Sequence, residues 1–80
     1  MPIKSVRHDG VMCVLVDQQS GVPVEINDTY GRDGVEYSII GGRAPHSPAS
    51  TGRVTVRSAE QSRELYPSVF DLSWIPENEV

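Results

Sequence analysis

Asp9-Gly10-Val11-Met12-Cys13-Val14-Leu15-Val16-Asp17 sets two turn formers before six consecutive apolar residues and closes on a carboxylate. A run this short, rich in β-branched residues, is the length of a strand and too short for a helix. Side chains alternate across a strand, so Val11, Cys13 and Leu15 share one face and Met12, Val14 and Val16 the other. Neither face is polar, which predicts a central strand covered on both sides. Asp9-Gly10 predicts a two-residue type I′ turn, because both positions tolerate positive φ, and pairs this strand with Ile3–His8 in an opening hairpin.

Strand periodicity continues on the C-terminal side. Val22, Val24 and Ile26 alternate with Pro23 and Glu25, and Pro23, lacking an amide donor, places this strand at an edge or gives it an irregular start. Residues 27–34 are dense in Asn, Asp, Gly and Thr and predict a loop, with the Tyr30 ring folded back onto the body. Val35–Ile40 predicts a strand with Val35, Tyr37 and Ile39 on one face. Gly41–Gly52 has three glycines, two prolines and no apolar period, and predicts a long loop. Arg53-Val54-Thr55-Val56-Arg57 alternates cleanly, valines inward and arginines toward water. Residues 58–62 predict a turn into a short strand through Leu65 and Tyr66, with a helix over 59–66 as the alternative on propensity. Pro67 and Ser68 predict one turn of 3₁₀ helix, after which Phe70, Leu72 and Trp74 line the core face of a last strand. Pro76 ends it, leaving 77–80 as a disordered tail.

Five to six short strands and at most one short helix or 3₁₀ turn predict an all-β fold: a rolled antiparallel sheet or small barrel of the SH3-like or OB-like kind. Residues 1–76 form one domain, since 80 residues support a single small core. Leu65-Tyr66-Pro67-Ser68-Val69-Phe70 resembles the end of eukaryotic SH3 domains, where such a stretch makes a 3₁₀ turn before the final strand. The resemblance covers six residues and implies that local geometry. The paired tryptophans and acidic specificity loop of that family are absent, so peptide binding is not implied.

Composition narrows the setting. The one cysteine, Cys13, forms no internal disulfide and reads as a small buried hydrophobe. The longest apolar run is far too short to cross a bilayer, and no leader pattern opens the chain, so a reducing cytoplasm is expected. The net charge of −4 is uneven: Arg43, Arg53, Arg57 and Arg63 share their stretch with Glu60 alone, which makes 43–63 locally basic in an acidic protein.

No residue set spells out a chemistry. His8, Cys13 and His46 lack the paired spacing of zinc ligands. His46 near Ser47, Ser50 and Thr51 has no nucleophile elbow or orienting third group, and no cofactor is implied. Gly41-Gly42-Arg43 and Ser50-Thr51-Gly52-Arg53 suggest a phosphate-binding nest, and Pro45 and Pro48 a polyproline II ligand. The sequence therefore predicts a non-enzymatic binding or accessory module, of a bacterial type, that contacts a protein partner. Its candidate surface is Tyr37, Arg43, His46, Arg53, Arg57, Arg63 and Tyr66. The alternative is a weak nucleic-acid-binding domain, in which arginines 43, 53, 57 and 63 neutralise phosphates while Tyr37, Tyr66 and Trp74 stack bases.

Overall fold

A computed structural model describes all 80 residues. The chain is all-β, with seven strands: β1 (Lys4–Val6), β2 (Met12–Asp17), β3 (Thr29–Arg32), β4 (Val35–Arg43), β5 (Arg53–Arg57), β6 (Ser62–Leu65) and β7 (Leu72–Pro76). They form two antiparallel sheets, β1-β2-β7 and β3-β4-β5-β6, which do not close into one barrel. Against the expectation, β3 arises inside the 27–34 segment read as a loop, while no regular strand forms over 22–26.

The type I′ turn expected at Asp9-Gly10 forms at Asp33-Gly34 instead. At the first hairpin only Gly10 has positive φ, Gly10 N–H donates to Arg7 C=O at 2.9 Å, and Arg7 N–H donates to Val11 C=O at 2.8 Å. This is a three-residue loop with glycine in the left-handed position, in place of the expected type I′ turn. The Arg7 guanidinium forks onto the Asp9 carboxylate at 3.0 and 2.8 Å and holds the loop from outside. The type I′ geometry appears instead at Asp33-Gly34, both at positive φ, with Arg32 opposite Val35.

β2 is the middle strand of its sheet, as its two apolar faces require. Cys13 and Leu15 join Ile3, Val24, Ile39, Ala44, Val54, Val56, Phe70, Leu72 and Trp74 in the core between the sheets. Val14 and Val16 are buried on the opposite face; Lys4, opposite Val14, is ion-paired with Glu77, and the closing 3₁₀ turn Glu77–Glu79 lies against β2. That turn stands where a tail without structure was expected. Each fully buried valine or leucine adds about 1.5–3 kcal/mol relative to exposure. Val22–Ile26 forms no regular strand: Pro23 and Glu25 make isolated bridges to Val16 and Pro2, and Val24 alone of the three apolar residues is buried. Pro23 accounts for the irregularity, because it cannot donate to a ladder.

Trp74 shapes the far end of the second sheet. β4 runs on to Arg43, three residues into the expected loop, and a bulge at Ile40 resets its alternation. Gly42 then faces the core opposite Val54, where a β-carbon would meet Trp74 Cζ2 and the Arg53 carbonyl oxygen at 2.7 Å. Glycine at this position is a packing requirement of the indole, and the irregular loop shrinks to 44–52. β6 pairs along its length with β5, so the helical alternative for 59–66 gives way to a strand. Leu65, opposite Val54, packs against the core and favours that outcome. Pro67–Phe70 forms the expected 3₁₀ turn, ended by Asp71 in the left-handed region.

Candidate functional site

The outward face of β4-β5-β6 follows from register, because residues directly opposite in an antiparallel pair point to the same side. Val54 and Val56 point inward, so Arg53, Thr55 and Arg57 point out, with Arg43 opposite Arg53, Glu64 opposite Thr55 and Ser62 opposite Arg57. Two of the arginines are tied down. The Arg53 guanidinium carbon sits 4.2 Å above the centre of the Tyr66 ring, and its Nη1 donates to Gly52 C=O at 2.9 Å. Arg43 Nη2 pairs with Glu64 Oε1 at 2.7 Å.

Arg43 and Arg53 also wall a hollow of about 540 Å³ beside the sheet, completed by Ser5, Val6, His8, Ala44, His46 and Gly52. The first hairpin brings its side of the hollow: Ala44 N–H donates to Ser5 Oγ at 2.9 Å, and His8 N–H donates to Pro45 C=O at 2.9 Å. Two guanidiniums and two imidazoles therefore share one opening, and no carboxylate lines it. Arg7 stays outside this group, bound to Asp9, whose carboxyl that hydrogen bond holds down at about 2. A second hollow, of about 410 Å³, adjoins it and shares His46 and Arg53, with Ser47, Ala49, Ser50, Thr51 and Tyr66 on its far side.

Four of the seven sequence-predicted surface residues, Arg43, His46, Arg53 and Tyr66, meet around these two hollows. Three do not. Arg57 projects from the same face at the opposite end of β5, roughly 13 Å along the strand from Arg53. Arg63 lies opposite inward-facing Val56 and points to the other side of the edge strand, where it shares a separate hollow with Tyr37. The Tyr37 ring packs on Phe70, with centroids 5.8 Å apart. Trp74 is 8% exposed and donates Nε1–H to Arg53 C=O at 3.2 Å, which removes it from any surface platform.

Ser5 and His8 were missed by the sequence reading, because they reach the site through pairing across more than 30 residues, which leaves no local spacing signal. The glycine nest does not form: Gly41 and Gly42 are strand residues, and Gly52 N–H is held by Ser50 Oγ at 3.1 Å. The Pro45–Pro48 stretch bends at 46–47 and runs into a turn over Ser47–Ser50, where Ser50 N–H donates to Ser47 C=O at 3.1 Å, so it is not a continuous extended ligand. No group of His, Cys, Asp and Glu residues is arranged to hold a metal ion, and no helix is long and apolar enough to cross a membrane. Comparisons with protein families, with curated proteins and with solved structures return no match.

Proposed function

We propose that this chain is a non-catalytic binding module that holds an acidic segment of a protein partner at the Arg43–Arg53 end of its four-stranded sheet. The observation that carries the reading is the convergence of His8, Arg43, His46 and Arg53 on one hollow free of carboxylates, in a chain of net charge −4. An acidic partner is repelled by most of this surface and attracted at one place, which fixes how the two meet. Tyr66, 55% exposed beneath Arg53, adds a rigid aromatic anchor of the kind that dominates binding energy at interfaces. A catalytic role has less to support it: Ser5 Oγ is engaged by the Ala44 amide, and no hydrogen bond joins Ser5 to either histidine.

The nucleic-acid reading is also weaker. It needs Tyr37 and Trp74 as stacking surfaces and four arginines in one stripe, whereas both rings are packed inward and Arg63 points away from the other three arginines. The SH3-like character of the fold belongs to the proposal, supported by the 3₁₀ turn Pro67–Phe70 that leads into the last strand; barrel closure is not part of it. A cytoplasmic setting belongs there too, supported by the single reduced and buried thiol.

The test is a chemical-shift titration of the labelled protein with a hexaglutamate peptide and, separately, with single-stranded DNA. The peptide is expected to shift Arg43, His46, Arg53 and Tyr66, and R43E is expected to abolish the response. DNA binding that falls steeply with salt, alongside silence toward the peptide, would replace this reading with the nucleic-acid one.

A further inference from the structure

We propose that the hollow walled by Ser5, His8, Arg43, His46 and Arg53 is a site for a phosphate monoester carried on a peptide, so that the partner is recognised in its phosphorylated form. This rests on the protein-partner reading above and goes beyond it in naming the group that enters the hollow. The chemistry is a matter of charge and donors. Arg43 and Arg53 contribute two fixed positive charges, whose free N–H groups remain after Arg43 Nη2 has met Glu64 and Arg53 Nη1 has met Gly52. His8 and His46 add ring N–H donors, and neither side chain is engaged by another protein group. Ser5 Oγ accepts from the Ala44 amide, which leaves its own proton free to donate into the hollow.

A single carboxylate carries one charge on two oxygens and cannot employ this many donors. A phosphate monoester carries up to two charges on three terminal oxygens, and guanidinium forks match its geometry. The second hollow indicates a peptide source. It opens directly from the first across His46 and Arg53, and its far wall holds the half-exposed Tyr66 ring with the small residues Ala49, Ser50 and Thr51. A residue next to the phosphorylated one would rest there, which a free phosphate ion cannot exploit. Glu64 acts as a competitor: its carboxylate occupies one face of Arg43 until the stronger anion displaces it.

The experiment compares five probes by calorimetry and by imidazole proton shifts: a Gly-Ser hexapeptide bearing one phosphoserine, the same peptide unphosphorylated, hexaglutamate, inorganic phosphate, and a 5′-phosphorylated oligonucleotide. The phosphopeptide is expected to bind about tenfold or more tightly than the unphosphorylated peptide and than inorganic phosphate, and to move the signals of both histidines. R43Q, a change at an exposed ion pair that leaves the fold intact, is expected to lose most of that gain. E64Q is expected to strengthen binding severalfold by freeing Arg43. Equal affinity for phosphorylated and unphosphorylated peptides, or an unchanged affinity in E64Q and R43Q, overturns the phosphate site; binding of hexaglutamate in that case leaves the protein-partner reading standing. Binding of free phosphate with no gain from the peptide, or preference for the oligonucleotide, overturns the peptide source.

Discussion

Gly52 and Trp74 occupy one another's space: a β-carbon on Gly52 would lie 2.6 Å from the indole Cδ1, and Gly52 itself sits at φ +82. Substitution therefore acts twice, once on the backbone and once on packing. G52A is expected to destabilise the fold by about 2–4 kcal/mol, the sum of a left-handed alanine and an overpacked indole. Gly10 has nearly the same φ with nothing near its β-position, so G10A should show the backbone part alone, about 1 kcal/mol. Urea denaturation followed by the fluorescence of the single tryptophan measures both. Equal losses would mean that the indole yields without strain.

Cys13 is fully buried between β1 and β7, and burial pushes its thiol above the ordinary range. The thiolate, which is the reactive form, is thus doubly disfavoured. In native buffer the thiol is expected to react with a disulfide reagent only at the rate of unfolding, and at once in denaturant. Rapid labelling of the native protein would show that β2 opens locally. C13S, which buries a hydroxyl in an apolar core, is expected to cost about 1–3 kcal/mol.

Strand identity was legible where alternation and burial agree, as in Arg53–Arg57 and in Leu72 and Trp74, because each inward residue meets a core of its own periodicity. The first Asp-Gly turn misled because dipeptide preference is a local signal, while loop length is decided by which residues pair; Arg7 pairing with Val11 took the extra residue. The stretch Gly41-Gly42-Arg43 read as loop because its two glycines carry no propensity for strand. The reason for Gly42 lies 32 residues away in the indole over it, which only the folded chain brings near, whereas Gly41 has open space at its β-position. The site was half legible for the same cause: its arginines cluster in sequence, whereas Ser5 and His8 arrive by long-range hydrogen bonds to Ala44 and Pro45.

Acid and alkali should loosen the fold at separate places. The Asp9 carboxyl, lowered to about 2 by Arg7, stabilises its loop above the unfolded value near 3.8, and that contribution disappears as pH falls through 2. The Tyr30 phenol is pushed up to about 12, first by burial and then by its hydrogen bond to Asp17 at 3.1 Å. It stabilises the fold fully below the unfolded value of 10, and the contribution is lost as pH rises through 12. Phenolate absorbance at 295 nm is expected to contain a component ionising near 12 that Y30F removes. A Y30F profile identical to that of the parent chain would refute the assignment.

Tyr66 holds Arg53 in place on the outer face while adding little to the core, since the ring is 55% exposed. Y66L keeps apolar bulk and removes the ring quadrupole under the guanidinium, so stability is expected to fall by only about 0.5–1 kcal/mol. Recognition should suffer more, because an unheld Arg53 must be ordered again each time a ligand binds, and that ordering opposes affinity. The Arg53 Nε relaxation rate reports the change directly, with faster motion expected in Y66L. Acidic-peptide affinity measured on the same sample is expected to drop several times further than stability alone accounts for. An Arg53 side chain as rigid in Y66L as in the parent would assign its orientation to the Gly52 carbonyl and detach Tyr66 from the site.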